Sequence, residues 1–439
     1  MANNDILVDT PSSNNRSAAS SRDETNSVIF AHLAFILCIC MQRFGLLIGT
    51  GQIFFSLFGF FALIVWGWRV GLVRLRGPQI MAFGVVVSWF LFSAVVAMES
   101  PDRGIETSPL SLAMVLVTNS IFLFGPTTRF STDATHHVFL FYVRLCAVLA
   151  IVQIVLQFGG IRIFSFKDAL PALEPVLLES AYNQNAVEAY GSINKRANGF
   201  FPMEPGALSQ LLVIGVMIDV ILLRRLKFLA LYGFSYLLTS SGSGLLVLIV
   251  TFVIYPIIAP LKSFRVIAIA AVAATLVGTV MLVAPEPFAP ILRRVEEFSS
   301  PRSSGYARYV AQAQTWEFLF RTDRVLIGSG PGGLERSPSY FGGSGNPARK
   351  LVADYGIIGF LGFIFVLVIS TFRAQNAIIA VAMLTCYQLG GGNLSMAPFL
   401  IMMAMLCVWA VPPKIARPMS IHQLTAPRRL KPGFGPAIE

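Results

Sequence analysis

The stretch Arg196-Ala-Asn-Gly-Phe-Phe-Pro-Met-Glu-Pro-Gly206 places a guanidinium, a carboxylate and a helix-start signal within one short segment. Glu204-Pro205 predicts a first helical turn, because proline has no N–H to lose there and its φ is already helical. Arg196 can hold two phosphate oxygens at once, and the positive end of the following helix attracts the same anion. Glu204 has two readings. A carboxylate beside a helix N-terminus is electrostatically favoured and often only caps. Glutamate, however, caps less well than Asp, Asn or Ser, which leaves it available as a proton acceptor.

A second polar stretch, 285–350, carries Arg293, Arg294, Arg302, Arg308, Arg321, Arg324, Arg336 and Arg349. Guanidiniums at this density fit phosphate, either on a substrate or on lipid headgroups. The chain has no GxxxxGK[ST] loop and no Asp-x-Asp pair that would hold a divalent metal against a nucleotide diphosphate. His32, His136, His137 and His422 all lie outside the two polar stretches, so no metal site and no cofactor is expected there. What remains is chemistry on a donor that is already activated. Gly328-Ser-Gly-Pro-Gly-Gly333 reads as a turn, since no strand-to-helix context surrounds it. Thr239-Ser-Ser-Gly-Ser-Gly244 interrupts an apolar run, either as a ligand-coordinating broken helix or as a tight turn of small residues.

These residues must be positioned by membrane helices. Of the 439 residues 55% are hydrophobic and 13% are charged, and several apolar runs approach the ~20 residues that cross a bilayer. Cys38, Cys40, Cys146, Cys386 and Cys407 sit in those runs as inert thiols. Spans are expected near 28–42, 51–68, 80–98, 109–125, 137–158, 205–223, on either side of the break at 239–244, and near 266–284, 351–372, 377–389 and 395–411. With the short Arg/Lys-rich loops on the cytoplasmic side, the total is about twelve and both termini are inside. The predicted fold is therefore an all-α polytopic bundle over 28–411, with outer loops 159–204 and 285–350. Residues 1–27 form a disordered tail without a cleavable signal, and 412–439 form a basic tail. The predicted spans are nearly free of charge.

Taken together, Arg196-Ala-Asn-Gly199-Phe-Phe201-x-x-Glu204-Pro205, the break at Ser240–Ser243, and a second loop with Arg308, Trp316, Gly328-Ser-Gly330 and Ala353-Asp-Tyr-Gly356-Ile-Ile-Gly359 resemble the bacterial O-antigen ligase and Wzy-type polysaccharide polymerase superfamily. The resemblance spans roughly 139–370 and rests on the order and spacing of short motifs. It implies an inner-membrane glycosyltransferase whose active site faces the periplasm and whose donor is an undecaprenyl-diphosphate-linked oligosaccharide. It also implies Arg196, Arg308 and Arg321 on the diphosphate and, as possible partners, a polysaccharide co-polymerase and a flippase, with no nucleic acid. Arg321 to Gly332 matches a spacing found in polymerases, and the chain looks most like an exopolysaccharide polymerase of the xanthan type. Ligases often carry a histidine where this chain reads Gly345-Asn346-Pro-Ala-Arg349, which argues against a ligase.

Both lines of reasoning lead to a metal-free inverting glycosyl transfer with Glu204 as proton acceptor and Asp354 or Glu317 as the next candidates. Aromatic residues such as Tyr182, Tyr190, Tyr306, Tyr309, Trp316, Tyr340 and Phe341 stack on sugars or simply pack the loops. A ligase, or a transporter of lipid-linked sugars, is the alternative.

Overall fold

The computed structural model describes residues 13–48, 51–99, 107–178, 195–260, 324–333, 346–373, 375–389 and 394–410, with isolated positions between them. The expected span at 266–284 and the candidate residues Arg308, Glu317 and Arg321 lie outside the described residues.

In chain order the elements are α1 (Ser13–Phe35), β1 (Gly45–Ile48), β2 (Gly51–Phe54), α2 (Phe55–Arg69), β3 (Val73–Leu75), α3 (Gly77–Glu99), α4 (Pro109–Asn119), β4 (Phe124–Pro126), α5 (Thr132–Phe158) and α6 (Phe166–Ala169). They continue with α7 (Pro205–Val216), α8 (Leu229–Thr239), α9 (Gly242–Ile258), α10 (Pro347–Thr371), α11 (Ala377–Leu389) and α12 (Ala397–Ala404). Turns of π-helix extend α1, α7 and α12 over Ile36–Cys40, Met217–Leu222 and Met405–Trp409. Among the described residues, five helices are long and apolar enough to cross a membrane: Ser21–Cys40, Gly77–Glu99, Thr132–Phe158, Pro205–Leu222 and Pro347–Thr371. Among the described residues six shorter helices of 10–17 residues are also apolar, and the chain is a helical membrane protein.

Local chemistry sets the helix starts. Proline occupies the first turn of α4, α7, α10 and α12. Ser108 and Asn346 cap α4 and α10 through their side chains, accepting the N–H of Ser111 and Arg349. Two expectations change. The segment 1–27 is helical from Ser13 onward, and the link from α1 to α2 is a β-hairpin in which Leu46 faces Ile53. A second ladder pairs β3 with β4, Val73 opposite Pro126. These segments are too short to be helices, and antiparallel pairing satisfies their backbone groups instead.

One core runs through the bundle, with α7 packed on α9, α8 and α5, α9 on α11, and α3 on α10. Buried rings join distant parts of the chain: Phe30 stacks on Trp409 with centroids 4.6 Å apart, and Phe90 on Tyr355 at 3.7 Å. At one end of α3, the Arg76 guanidinium donates to Phe122 O and Ser370 O. Burial, with Arg373 and Arg74 nearby, pushes its pKa down to about 10, so it still carries its charge near neutral pH.

Candidate functional site

The segment 195–204 is held from three sides. Gln153 and Gln157, one turn apart on α5, bind it through their amides. Gln157 Oε1 accepts from Lys195 N–H at 2.9 Å, and Gln153 Oε1 accepts from Gly199 N–H at 2.9 Å. Gln153 Nε2 donates to Asn198 Oδ1, and Asn198 Nδ2 donates to Phe164 O. Gly199 adopts φ 73°, and a Cβ there would meet Cys146 O at 2.8 Å, so only glycine lets the loop lie this close to α5. From the end of α1, Arg43 is 2% exposed and donates to Pro202 O and Met203 O at 2.8 and 3.1 Å. It is thus an interior brace for the loop. The third support is α8, whose Leu238 O accepts from Ala197 N–H at 3.0 Å.

The Thr239–Gly244 break is real and has a specific shape. α8 ends at Ser240, whose φ of 43° is left-handed, and α9 restarts at Gly242 behind Ser241. Ser241 Oγ accepts from Ser243 N–H, and Tyr236 Oη donates to Ser241 O at 2.8 Å. Ser209 on α7 locks the break to the start of α7. Its hydroxyl donates to Gly206 O at 2.7 Å, accepts Gly244 N–H at 3.0 Å, and lies 3.4 Å from Ser241 Oγ.

Glu204 and Arg196 both come to this junction. Glu204 is the N-cap residue of α7 with extended backbone (φ −146°, ψ 160°), and its side chain makes no capping hydrogen bond. Capping therefore does not account for the carboxylate. A Cβ on Gly206 would lie 3.6 Å from Glu204 Oε1, 3.4 Å from Ser243 Oγ and 3.7 Å from Ser241 Oγ, so all three residues border the start of α7. Arg196 is half-buried and donates from Nη1 to Ser240 O at 3.4 Å. Its Nε is buried without a hydrogen-bond partner among the described residues. A buried guanidinium N–H left unmatched by protein is the kind of group that a bound oxygen ligand satisfies.

Asp354 does not join this group. It is fully buried on α10, where it pairs with Lys350 at 3.1 Å and accepts Gly332 N–H at 3.0 Å. Its own backbone O accepts Gly330 N–H, and Ser93 on α3 donates to both Ile327 O and Asp354 O. The glycine run from Gly328 is therefore a packed latch over a break in α10 at Gly356 (φ 73°, ψ 177°). Trp316 packs near Val352 and Ala353 and stacks on Phe320, which fits its packing role.

One charged group was missed. The spans expected to be nearly free of charge contain Arg144 and Asp219 as an ion pair, Arg144 Nη2 donating to both carboxylate oxygens, joined by Tyr232, inside the α5, α7 and α8 packing. Asp219 lies in the π-helical turn that extends α7. The glutamines at 153 and 157 were legible as two amides on one face of an apolar run; nothing local marks Arg43 as buried. No family model matches the chain, and no characterised protein shows significant sequence similarity to it.

Proposed function

We propose that the chain is a polysaccharide polymerase: a glycosyltransferase of the bacterial inner membrane with about twelve spans and its site facing the periplasm, acting on oligosaccharides carried by undecaprenyl diphosphate. The observation that carries this reading is the junction of α7, α8 and α9, where Arg196, whose Nε has no hydrogen-bond partner among the described residues, and the non-capping carboxylate of Glu204 both border one helix break. The orientation is supported by Arg74, Arg76 and Arg373, which gather at one end of the bundle. In the transfer, an acceptor hydroxyl oxygen bonds to the anomeric carbon while the bond from that carbon to the diphosphate breaks. The bonding pair leaves with the diphosphate, Arg196 (with Arg308 and Arg321) offsets its charge, and Glu204 takes the hydroxyl proton. The other face of the sugar is attacked, so the configuration inverts. No metal or cofactor enters this scheme.

A transporter of lipid-linked sugar is the second reading, and the buried Arg144–Asp219 pair favours it, because ionisable groups inside spans often mark a pathway. Transfer to a different acceptor would make the protein a ligase. One assay separates the three: purified protein in vesicles receives a lipid-linked repeat unit, and a product ladder is expected. A single transfer product would identify a ligase, and movement across the bilayer without reaction would identify a transporter.

A further inference from the structure

Three polar side chains sit among apolar ones where the start of α3, the end of α4 and the end of α10 meet. Gln79, Asn119 and Ser370 line one cavity of about 10 Å³, whose other walls are apolar. Space of that size holds a single water molecule. Asn119 is 2% exposed and Ser370 1%, so neither solvent nor lipid reaches them. Yet Asn119 Oδ1 and Ser370 Oγ, both facing polar needs that lipid cannot meet, have no hydrogen-bond partner among the described residues. The neighbouring Thr371 shows the usual alternative for a hydroxyl on a helix: it donates one turn back, to Leu367 O at 2.7 Å. Ser370 does not take that course with Val366 O.

The polar groups select the occupant. The Asn119 amide has one orientation, because its Nδ2 donates to Val115 O and Leu394 O, both at 2.9 Å. Its remaining oxygen can only accept, so the occupant must donate, and an anion is excluded. A cation is opposed by Arg76, whose guanidinium donates to the backbone of two lining residues, Phe122 O at 3.3 Å and Ser370 O at 3.2 Å. A small neutral molecule that both donates and accepts meets every requirement. We infer that one water is bound here, donating to Asn119 Oδ1, sharing a hydrogen bond with Ser370 Oγ and reaching the Gln79 amide. It ties α3, α4 and α10 together at a point where apolar packing alone would leave buried oxygens unsatisfied.

Ser370→Ala separates a bridging water from a dry cavity by the sign of one measurement. With the water in place, the change removes one of its partners, and the thermal midpoint in detergent should fall by about a degree or two. In a dry cavity the hydroxyl is either unsatisfied or turned back on Val366 O, so deleting it should leave the midpoint unchanged or raise it. That outcome would overturn the tie between the helices. Cryo-electron microscopy at a resolution that shows ordered water gives the second readout. Density for one water within hydrogen-bond distance of Asn119 Oδ1 and Ser370 Oγ is expected in the unmodified protein. In Ser370→Val, whose extra carbon takes up the space, that density should be gone. A cavity without density in the unmodified protein, or one closed by Ser370 Oγ donating directly to Asn119 Oδ1, would overturn the water site whatever the midpoints. Glycan transfer enters neither readout, so failure here leaves the polymerase reading untouched.

Discussion

Arg144 on α5 grips both carboxylate oxygens of Asp219, at 2.9 and 2.7 Å, while Tyr232 of α8 donates to the same carboxylate at 2.6 Å. The guanidinium also lies 3.6 Å over the Phe228 ring, so three helices are tied at one point. Removing one partner strands a charge. Asp219→Asn should cost on the order of 3 kcal/mol, at the low end for a broken buried pair because Arg144 keeps 23% of its side-chain surface. The double change Arg144→Met with Asp219→Leu should recover most of that loss. Unfolding midpoints in detergent check this, and an unchanged midpoint in Asp219→Asn would show that the pair contributes nothing to the fold.

Glu204→Gln should leave the start of α7 intact, because the carboxylate makes no capping hydrogen bond there. Glycan transfer, in contrast, should fall about a hundredfold or more with the loss of the proton acceptor. The check is turnover of well-expressed protein on a lipid-linked donor. A rate within a few-fold of the unmodified protein would remove Glu204 as the base.

Arg196→Ala should abolish transfer while the protein stays in the membrane at its normal level, since Arg196 makes one long bond to Ser240 O and holds no other described part of the fold. Arg196→Lys should rescue poorly, because an ammonium keeps the charge but loses the planar fork that grips two phosphate oxygens. Affinity for undecaprenyl diphosphate should weaken in both variants. Unaltered affinity in Arg196→Ala would mean that this guanidinium does not touch the diphosphate.

The latch over α10 should be intolerant of any side chain at Gly356. Its φ of 73° is left-handed, and a Cβ would run into Leu326 O. Gly356→Ala should therefore reduce the folded yield severely. Asp354→Asn, which keeps the shape and can still accept Gly332 N–H but no longer pairs with Lys350, should cost about 1–3 kcal/mol. Yield and thermal midpoint measure both. A Gly356→Ala protein as stable as the unmodified one would show that the break in α10 is dispensable.

Apolar runs long enough to cross a bilayer determined that this chain is a helical membrane protein, because a continuous apolar run of about 20 residues satisfies its backbone in lipid as a helix, whereas barrel strands alternate. Local chemistry determined several boundaries as well: Pro205 starts α7, and the serine-glycine run ends α8 and restarts α9, since these residues act on the backbone within a turn of themselves. The pairing of Arg196 and Glu204 with one helix end was legible for the same reason. Periodicity carries no record of which distant segments touch. Only the tertiary structure put Ser241 and Ser243 against Gly206 at the start of α7, turned Arg43 inward as a brace, and brought Arg144 onto Asp219 across 75 positions of sequence. It also decided that Asp354 is a buried anchor for the glycine run and that the glycine run is a packed latch. Each of these depends on how helices pack, and packing is fixed by the shape of whole faces, which no single stretch of sequence contains.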